Sequence, residues 1–530
     1  MYMKKLILLS IALFCLIGIN AQTWNETQKI VGTNRFGGDH FSESVSISGN
    51  YAIIGVLGNG GVAYIFERDG SGNWNETQVL NGSDNSGGVL FGYKVAIDGD
   101  YAIVSSKNTD EDENGANPLL RSGSAYIFER DGSGIWNEVQ KIVPSDRAQV
   151  DEFGFSVAIN GNYAIVGTIK EDEDETGSNT LQNAGSAYIF ERDGSGNWNE
   201  VQKIVPSDRE QNDNFGYSVS IDNNYIIVGS RGEDHDVNGF SNPLASSGSA
   251  YIFERDGSNT WNQVQKIVAA DRGASDQFGH SISISGEYAV VGANFEDENS
   301  MGGSSLSNAG SAYIYERDGG SGTWTQVQKI TAFDRLGNDN FGQSVSISGD
   351  YVIVGVPREG EDENGLNTMN LAGSAYIFKR DNGGVWSQMQ KIVTSDRTGG
   401  DLFGTSVSIS NEYIISGAPF EDEDEMGNNP LSDPGSSYIF EFDSNLGVGD
   451  NNLLATNFKI YPNPTSGGFL NILSNYPETV KATVFDVLGK KIFSRTITNN
   501  KLDISSLSNG LYVLKLTQNN SSITKKLLIK

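Results

Sequence analysis

The sequence predicts an all-β chain: a seven-bladed β-propeller closed by its own N-terminal strand, followed by a small separate β domain. Three observations predict it. All seven tryptophans, Trp24, Trp74, Trp136, Trp198, Trp261, Trp324 and Trp386, recur at intervals of 50 to 63 residues. A second series, Phe41, Phe91, Phe153, Phe215, Phe278, Phe341 and Phe403, keeps step with them, and each phenylalanine precedes glycine except Phe41, which precedes Ser42. Charge then divides the 530-residue chain, because residues 456–530 carry a net +7 while the body before them is strongly acidic.

One unit, taken from Phe215, contains four short stretches rich in β-branched and aromatic residues, each bounded by turn residues. Strand A is expected over Phe215–Ile221, B over Tyr225–Gly229, C over Ser249–Glu254 and D over Trp261–Val268. The A–B and C–D links are tight polar turns such as Ser348-Gly349-Asp350 and Arg255-Asp256-Gly257-Ser258. Four strands in a repeat of this size make a propeller blade. An immunoglobulin-like domain needs about seven strands and roughly 100 residues, more than the unit holds. One tryptophan and one phenylalanine per blade at fixed positions are what packing between blades requires.

The ends of the array fit a closed ring. The chain opens with an isolated D strand, Trp24–Val31, and ends after an isolated C strand, Ser437–Phe442. Pairing the first into the blade that contains Phe403 and Tyr438 completes seven four-stranded blades and leaves no bare edge to aggregate.

The repeats resemble the FG-GAP repeat family, the propeller type also found at the head of integrin α chains. The resemblance rests on Phe-Gly at strand A and on a Gly-Ala-Pro-like end to strand B, literal at Gly417-Ala418-Pro419 and approximate at Gly355-Val356-Pro357 and Gly292-Ala293-Asn294. After a Gly/Asn-rich connector, the last domain carries Tyr461-Pro462-Asn463-Pro464, Asp486-Val487-Leu488-Gly489-Lys490, Asn509-Gly510-Leu511-Tyr512 and a closing Lys525-Lys526-Leu527-Leu528-Ile529-Lys530. These resemble the type A sorting domain of the type IX secretion system. The resemblance implies a small β-sandwich read by the secretion machinery through Pro462, Asn463, Pro464, Gly489, Gly510, Tyr512, Lys526 and Lys530. It also implies a cargo that is secreted or held on the outer-membrane surface of a diderm bacterium.

The expected organisation is a signal peptide over 1–21, the propeller over 22–442, a linker over 443–455 and the sorting domain over 456–530. Lys4 and Lys5 followed by the apolar run Leu6–Ile19 make the secretory signal, with a cut after Ala21. Cys15 is the only cysteine and falls before that cut, so stability must come from packing or metal and not from disulfides. No later segment reaches eighteen consecutive apolar residues, so no transmembrane segment is expected in the mature chain. The net charge of −30 disfavours nucleic acid and anionic lipid as partners.

Strand direction puts the B–C and D–A connections of every blade on one face, and long loops on a rigid scaffold are where function usually sits. The B–C loops are acidic in six of seven blades. They contain Asp-x-Asp/Asn pairs before a turn: Asp112/Asn114, Asp172/Asp174, Asp234/Asp236, Asp362/Asn364, Asp422/Asp424 and the looser Asp297/Asn299. Such pairs offer several oxygens from one loop to a hard cation, so calcium is a possible ligand, the alternative being solvated acidic surface. The family's own calcium-binding turn is not matched, because the A–B turns read Ser-Gly-Asp. In the D–A loops, Asp146-Arg147 and its copies, with Asp151, Asp213, Asp276, Asp339 and Asp401 ahead of the phenylalanines, read as braces: aspartate capping backbone N–H groups and arginine pairing with carboxylates.

His40, His235 and His280 lie in different contexts, and no catalytic constellation appears, so no catalytic residue is assigned. Two functions fit. The first is an exported surface binding or adhesion module for a glycan, a matrix polymer or a cell-surface protein, with blade one and its short Leu57–Gly60 loop as the preferred partner site. The alternative is an extracellular polysaccharide-processing enzyme with a site in the propeller channel. An enzyme should break the sevenfold sameness with unique polar residues near the ends of A strands, and few such breaks are expected.

Overall fold

The computed structural model describes residues 23–530 except 85–89, 240–241, 300–304, 429, 444–457, 462–464, 466–467, 475–479, 487–489, 498–500, 519–520 and 530. The expected signal peptide and nearly all of the linker lie outside the described residues. Two compact units emerge: Trp24–Phe442, and one containing Asp443–Lys530.

In the first unit, seven four-stranded antiparallel sheets follow one another, each in the order A-B-C-D. In the unit read from Phe215 the strands are Phe215–Asp222, Tyr225–Ser230, Ser249–Arg255 and Trp261–Ile267, each bound within one residue of the sequence expectation. In the seventh sheet Ser406–Ser410, Tyr413–Ala418 and Ser436–Asp443 are joined by Thr23–Ile30, which occupies the D place. Trp24 accordingly sits in one core cluster with Phe403 and Tyr438.

The strands differ in pattern because their surroundings differ. Strand B is a continuous apolar run, as in Ala164-Ile165-Val166, because blades cover both its faces. Strand D alternates: Trp198 is buried, Asn199 is exposed, and Gln202 is half-buried. The C–D register slips at one place, Ile189 facing Gln202 while Phe190 faces Glu200, so Val201 bulges out. The same bulge exposes Val139, Val264 and Val327. Bulges on an outer strand twist it and discourage edge-to-edge pairing.

The Phe-Gly step is fixed by space. Gly216 has φ +87°, and a Cβ there would lie 2.4 Å from Ser186 O of the preceding blade. Blade one tolerates Ser42 at φ +78° because its hydroxyl donates to Ser436 O at 2.6 Å.

Each blade is joined to the next by one repeated contact. Gln140 Nε2 donates to Trp198 O at 2.7 Å, and Trp198 N donates back to Gln140 Oε1 at 2.8 Å. The indole of Trp198 meets the ring of Tyr101 in the preceding blade edge to face, with centroids 5.8 Å apart. All seven tryptophans make both contacts with their neighbours. The seam is no exception. Gln390 exchanges two bonds of 2.8 Å with Trp24, and Gln28 exchanges bonds of 2.7 and 2.8 Å with Trp74.

The second unit has two antiparallel sheets. One holds Phe458–Tyr461, Phe469–Ser474 and Lys501–Asp503; the other holds Lys481–Asp486, Lys491–Thr496, Gly510–Gln518 and Ser521–Ile529. Leu470, Ile472, Val484, Leu502, Leu514 and Leu527 pack between them as one core, which makes a small sandwich. Of the sorting residues, Pro462, Asn463, Pro464, Gly489 and Lys530 lie outside the described residues. Gly510 opens a strand, Tyr512 packs on the core and donates to Ser508 O at 3.0 Å, and Lys526 is exposed opposite Val513.

Deleting residues 24–31 removes a buried strand, the Trp24 ring contacts and all four seam bonds. The expected loss of stability is on the order of several kcal/mol, read as a lower melting temperature. An unchanged melting temperature would contradict the placement of this strand.

Candidate functional site

The acidic B–C loops resolve into three kinds of carboxylate. In blades three to seven the first acid of the cluster is buried and holds a lysine. Lys203 of strand D lies 2.8 Å from Asp146 and 3.2 Å from Glu171, and Tyr188 OH donates to the same two carboxylates at 2.8 and 2.9 Å. The set recurs as Lys266 with Asp208 and Glu233, Lys329 with Asp271 and Glu296, and Lys391 with Asp334 and Glu359. In blade seven Lys29, from the N-terminal strand, lies 2.8 Å from Asp396 and 3.0 Å from Glu421. A buried ion is tolerated only when paired and hydrogen-bonded, and each of these is. Burial pushes the Glu171, Glu296 and Glu359 carboxyls up, and the adjacent lysine works against it.

The second acid braces the far end of its own loop. Asp172 accepts from Asn183 N at 2.7 Å, Asp234 from Ser246 N at 2.6 Å, Asp297 from Asn308 N at 2.8 Å and Asp422 from Asp433 N at 2.9 Å. The third turns the chain. Asp112 accepts from Asn114 N and Ala116 N, both at 2.9 Å, and Asp362 accepts from Asn364 N and Leu366 N at the same distance. Asp174, Asp236 and Asp424 accept from Thr176 N, Asn238 N and Met426 N in the same way. Asn114 and Asn364 act as donors, each amide nitrogen reaching the glutamate before it. Asn299 lies in the corresponding loop beside Asp297. The sequence pairs proposed for calcium therefore join residues with separate structural tasks. Among the described residues, no group of three or more His, Cys, Asp or Glu is arranged to hold a metal ion.

The D–A braces are present, with one difference. Asp151 accepts from Ala148 N at 2.6 Å and Asp213 from Glu210 N at 2.6 Å, capping backbone N–H groups as expected. The arginines reach carbonyls of the B–C loop where carboxylates were expected: Arg147 to Asp110 O at 2.6 Å, Arg209 to Asp172 O at 2.8 Å, Arg397 to Gly360 O at 2.6 Å. Blade one lacks most of this. Val79 stands in the lysine position, and its B–C loop is a single turn, Gly58–Gly60, with Leu57 N and Gly58 N donating to Asp39 O.

The break in symmetry lies elsewhere. A cavity of about 350 Å³ is lined by the A strands of all seven blades, at the end where these strands begin. The residue directly after Phe-Gly (Phe-Ser in blade one) faces it, and six residue types fill the seven places, only tyrosine occurring twice: Glu43, Tyr93, Phe155, Tyr217, His280, Gln343 and Thr405. The expectation of few breaks near the A strands is corrected here. Four of the seven form a continuous arc, with centroid separations of 5.7 Å for Tyr93–Phe155, 5.0 Å for Phe155–Tyr217 and 5.2 Å for Tyr217–His280. Cations crown it. Lys107 Nζ lies 3.8 Å from the Tyr93 centroid, and Arg231 stacks 3.9 Å from that of Tyr217 while donating to its hydroxyl at 2.9 Å. Burial, with Arg231 and Lys94 nearby, pushes His280 down to about 3 and keeps it neutral. Burial also lowers Lys94 and Lys107. The signal for this site was present in the sequence, since stacking the seven copies on Phe-Gly isolates a column of six residue types in which only tyrosine, at 93 and 217, recurs.

The buried D–A aspartates set the response to pH. Burial pushes Asp151, Asp339 and Asp401 up to about 7, Asp213 to about 8 and Asp276 to about 6. The folded chain thus binds more protons than the unfolded one between about pH 4 and 7, and stability must fall as pH rises through that window. Backbone N–H groups lower Asp112 and Asp362, an effect confined below about pH 4, and His280 opposes as a single group. The melting temperature is expected to be higher at about pH 5.5 than at about pH 8, and Asp213→Asn should flatten the difference. A steady rise from 5.5 to 8 would contradict this.

Comparison with known proteins agrees with the geometry. The FG-GAP repeat matches seven times, over residues 24–66, 74–128, 136–190, 198–253, 261–315, 324–378 and 386–440. The secretion system C-terminal sorting domain matches residues 459–530. An endo-acting ulvan lyase of Formosa agariphila is 33% identical over 89 residues, which are 16% of this chain and 17% of that protein. Among solved structures, a protein from Lactobacillus plantarum aligns at 13% identity and a TM-score of 0.42 over 69% of this chain and 86% of its own. Sqt1 of Saccharomyces cerevisiae aligns at 10% identity and 0.41 over 85% and 97%. With seven matched repeats covering most of its length, the chain belongs to the FG-GAP repeat family and ends in a secretion system sorting domain.

Proposed function

We propose that the propeller is a binding module that takes its ligand at the channel mouth on the long-loop face. The sorting domain directs the chain to secretion or cell-surface attachment, so the partner is an extracellular glycan, matrix polymer or surface protein. One observation carries the reading: in a chain that repeats its tryptophans, glutamines, tyrosines and most lysines blade after blade, the seven places around the cavity hold six different residue types, only tyrosine recurring. Packing has no use for six residue types at seven equivalent places, whereas recognition of an asymmetric ligand does. The acidic loops then serve as braced walls, and calcium is not needed to order them because their carboxylates already accept backbone N–H groups.

The same break in symmetry favours a second reading, a polysaccharide-processing enzyme with its site at the channel. The short likeness to an ulvan lyase points the same way, although it spans only 17% of that protein.

Both readings are tested on a glycan and matrix-protein array, with calcium chloride or with sodium chloride of matched ionic strength. Thr405→Trp should fill the mouth and weaken capture at least tenfold, Asp174→Asn should leave it unchanged, and the two salts should act alike. Capture indifferent to Thr405→Trp would place the ligand elsewhere. New reducing ends appearing with time in a bound polysaccharide would establish the second reading.

A further inference from the structure

Lys94 breaks a repeated rule. In the other six blades the second residue after Phe-Gly (Phe-Ser in blade one) is a serine: Ser44, Ser156, Ser218, Ser281, Ser344 and Ser406. Five of these hydroxyls donate across to the next blade, as Ser156 does to Gly216 O at 2.7 Å and Ser406 to Ser42 O at 2.7 Å. Blade two gives up that bond and places a half-buried ammonium at the cavity wall instead. Among the described residues, Lys94 Nζ has no ion pair or hydrogen bond; it lies 5.4 Å from the Tyr93 ring, and the carboxylate that acts on it, Glu43 of the same cavity, does so without ion-pair contact. Lys107 Nζ also lacks an ion pair there, because Glu152, the nearby acid, is taken by Lys170 at 2.8 Å and by Arg121. Arg231 bonds only the neutral Tyr217 hydroxyl. Three cations thus stand without a carboxylate in ion-pair contact in a chain of net charge −30.

Half-buried cations without a directly paired carboxylate cost stability, and a counter-charge that arrives with a ligand relieves that cost. The aromatic arc says what bears that charge. Tyr93, Phe155, Tyr217 and His280 offer adjoining ring surfaces along one side of the cavity, opposite Gln343, Thr405 and Glu43. Ring faces accept the C–H face of a sugar, the cations accept a carboxylate or sulfate ester on that sugar, and a mouth of about 350 Å³ suits a short saccharide segment and not a folded domain. We propose that the wall formed by blades two to five is a subsite for an acidic sugar residue, with Lys94 and Lys107 binding the anionic group. This rests on the channel-mouth reading above and gives it a ligand class.

The test titrates the full chain with three tetrasaccharides of equal length, one built of uronates, one sulfated and one neutral. At least one anionic probe should bind tenfold or more tighter than the neutral one, and the arm that binds separates carboxylate from sulfate recognition. Lys94→Ser should weaken that binding about tenfold without lowering the melting temperature, because it restores the serine used by the other blades. Lys107→Gln should weaken it similarly and reduce its dependence on salt. Equal binding of neutral and anionic probes, binding of none at millimolar concentration, or anionic binding untouched by both variants would overturn the proposal. If the proposal falls while Thr405→Trp still abolishes capture on the array, the channel-mouth reading stands with a different ligand; if Thr405→Trp is silent, both fall.

Discussion

The rest of the propeller depends on the bond pair between a strand-D glutamine and the main chain of the next blade's tryptophan. A net hydrogen bond is worth only about 1 kcal/mol, but the main-chain N–H and C=O of each tryptophan have this glutamine as their cross-blade partner, and a buried polar group left alone costs more than a made bond gains. The edge-to-face contact of the same tryptophan with a strand-B tyrosine sets the angle at which the blades meet. Seven copies of one joint require seven copies of Gln, Trp and Tyr, which is why these residues repeat. The N-terminal strand is bound by the same rule, since it brings Trp24, Gln28 and Lys29 to the positions that other blades fill from their own chain.

Below that joint, blades three to seven bury charge. A lysine from strand D, a glutamate from the B–C loop and an aspartate from the preceding D–A loop meet under a tyrosine hydroxyl. This ties the long loops to the sheets, so the face they form is held rigid by contacts that consume its own carboxylates. The one position free of these demands is the residue that points to the axis at the start of strand A. Variation there costs the scaffold little, and six residue types over seven blades are the outcome.

Much of this was legible in the sequence. Strand bounds came within a residue in the unit read from Phe215, because apolar runs and turn residues act locally, and the partner of Trp24–Val31 followed from a missing fourth strand. The structural tasks of the loop carboxylates were not legible for a physical reason. Aspartate two residues before a turn serves a cation loop and an Asx turn equally well in one dimension, and only the direction of its oxygens, toward Asn114 N or Thr176 N, separates them. The lysine clusters were illegible since Asp146, Glu171 and Lys203 meet across two blades. The arginines were assigned carboxylate partners by charge alone, whereas the nearest acceptors are loop carbonyls. The channel column could have been read, but repeats draw the eye to what recurs.

The claim that the scaffold and the site are separable is tested most directly by replacing Glu43, Tyr93, Phe155, Tyr217, His280 and Gln343 with threonine, so that all seven blades carry the residue at position 405. Thermal unfolding and ligand capture are then measured on the same preparation. The account predicts cooperative unfolding within a few degrees of the parent chain together with loss of capture. Loss of the cooperative transition would make the column part of the scaffold, and retained capture would put the site somewhere else; either result contradicts the account.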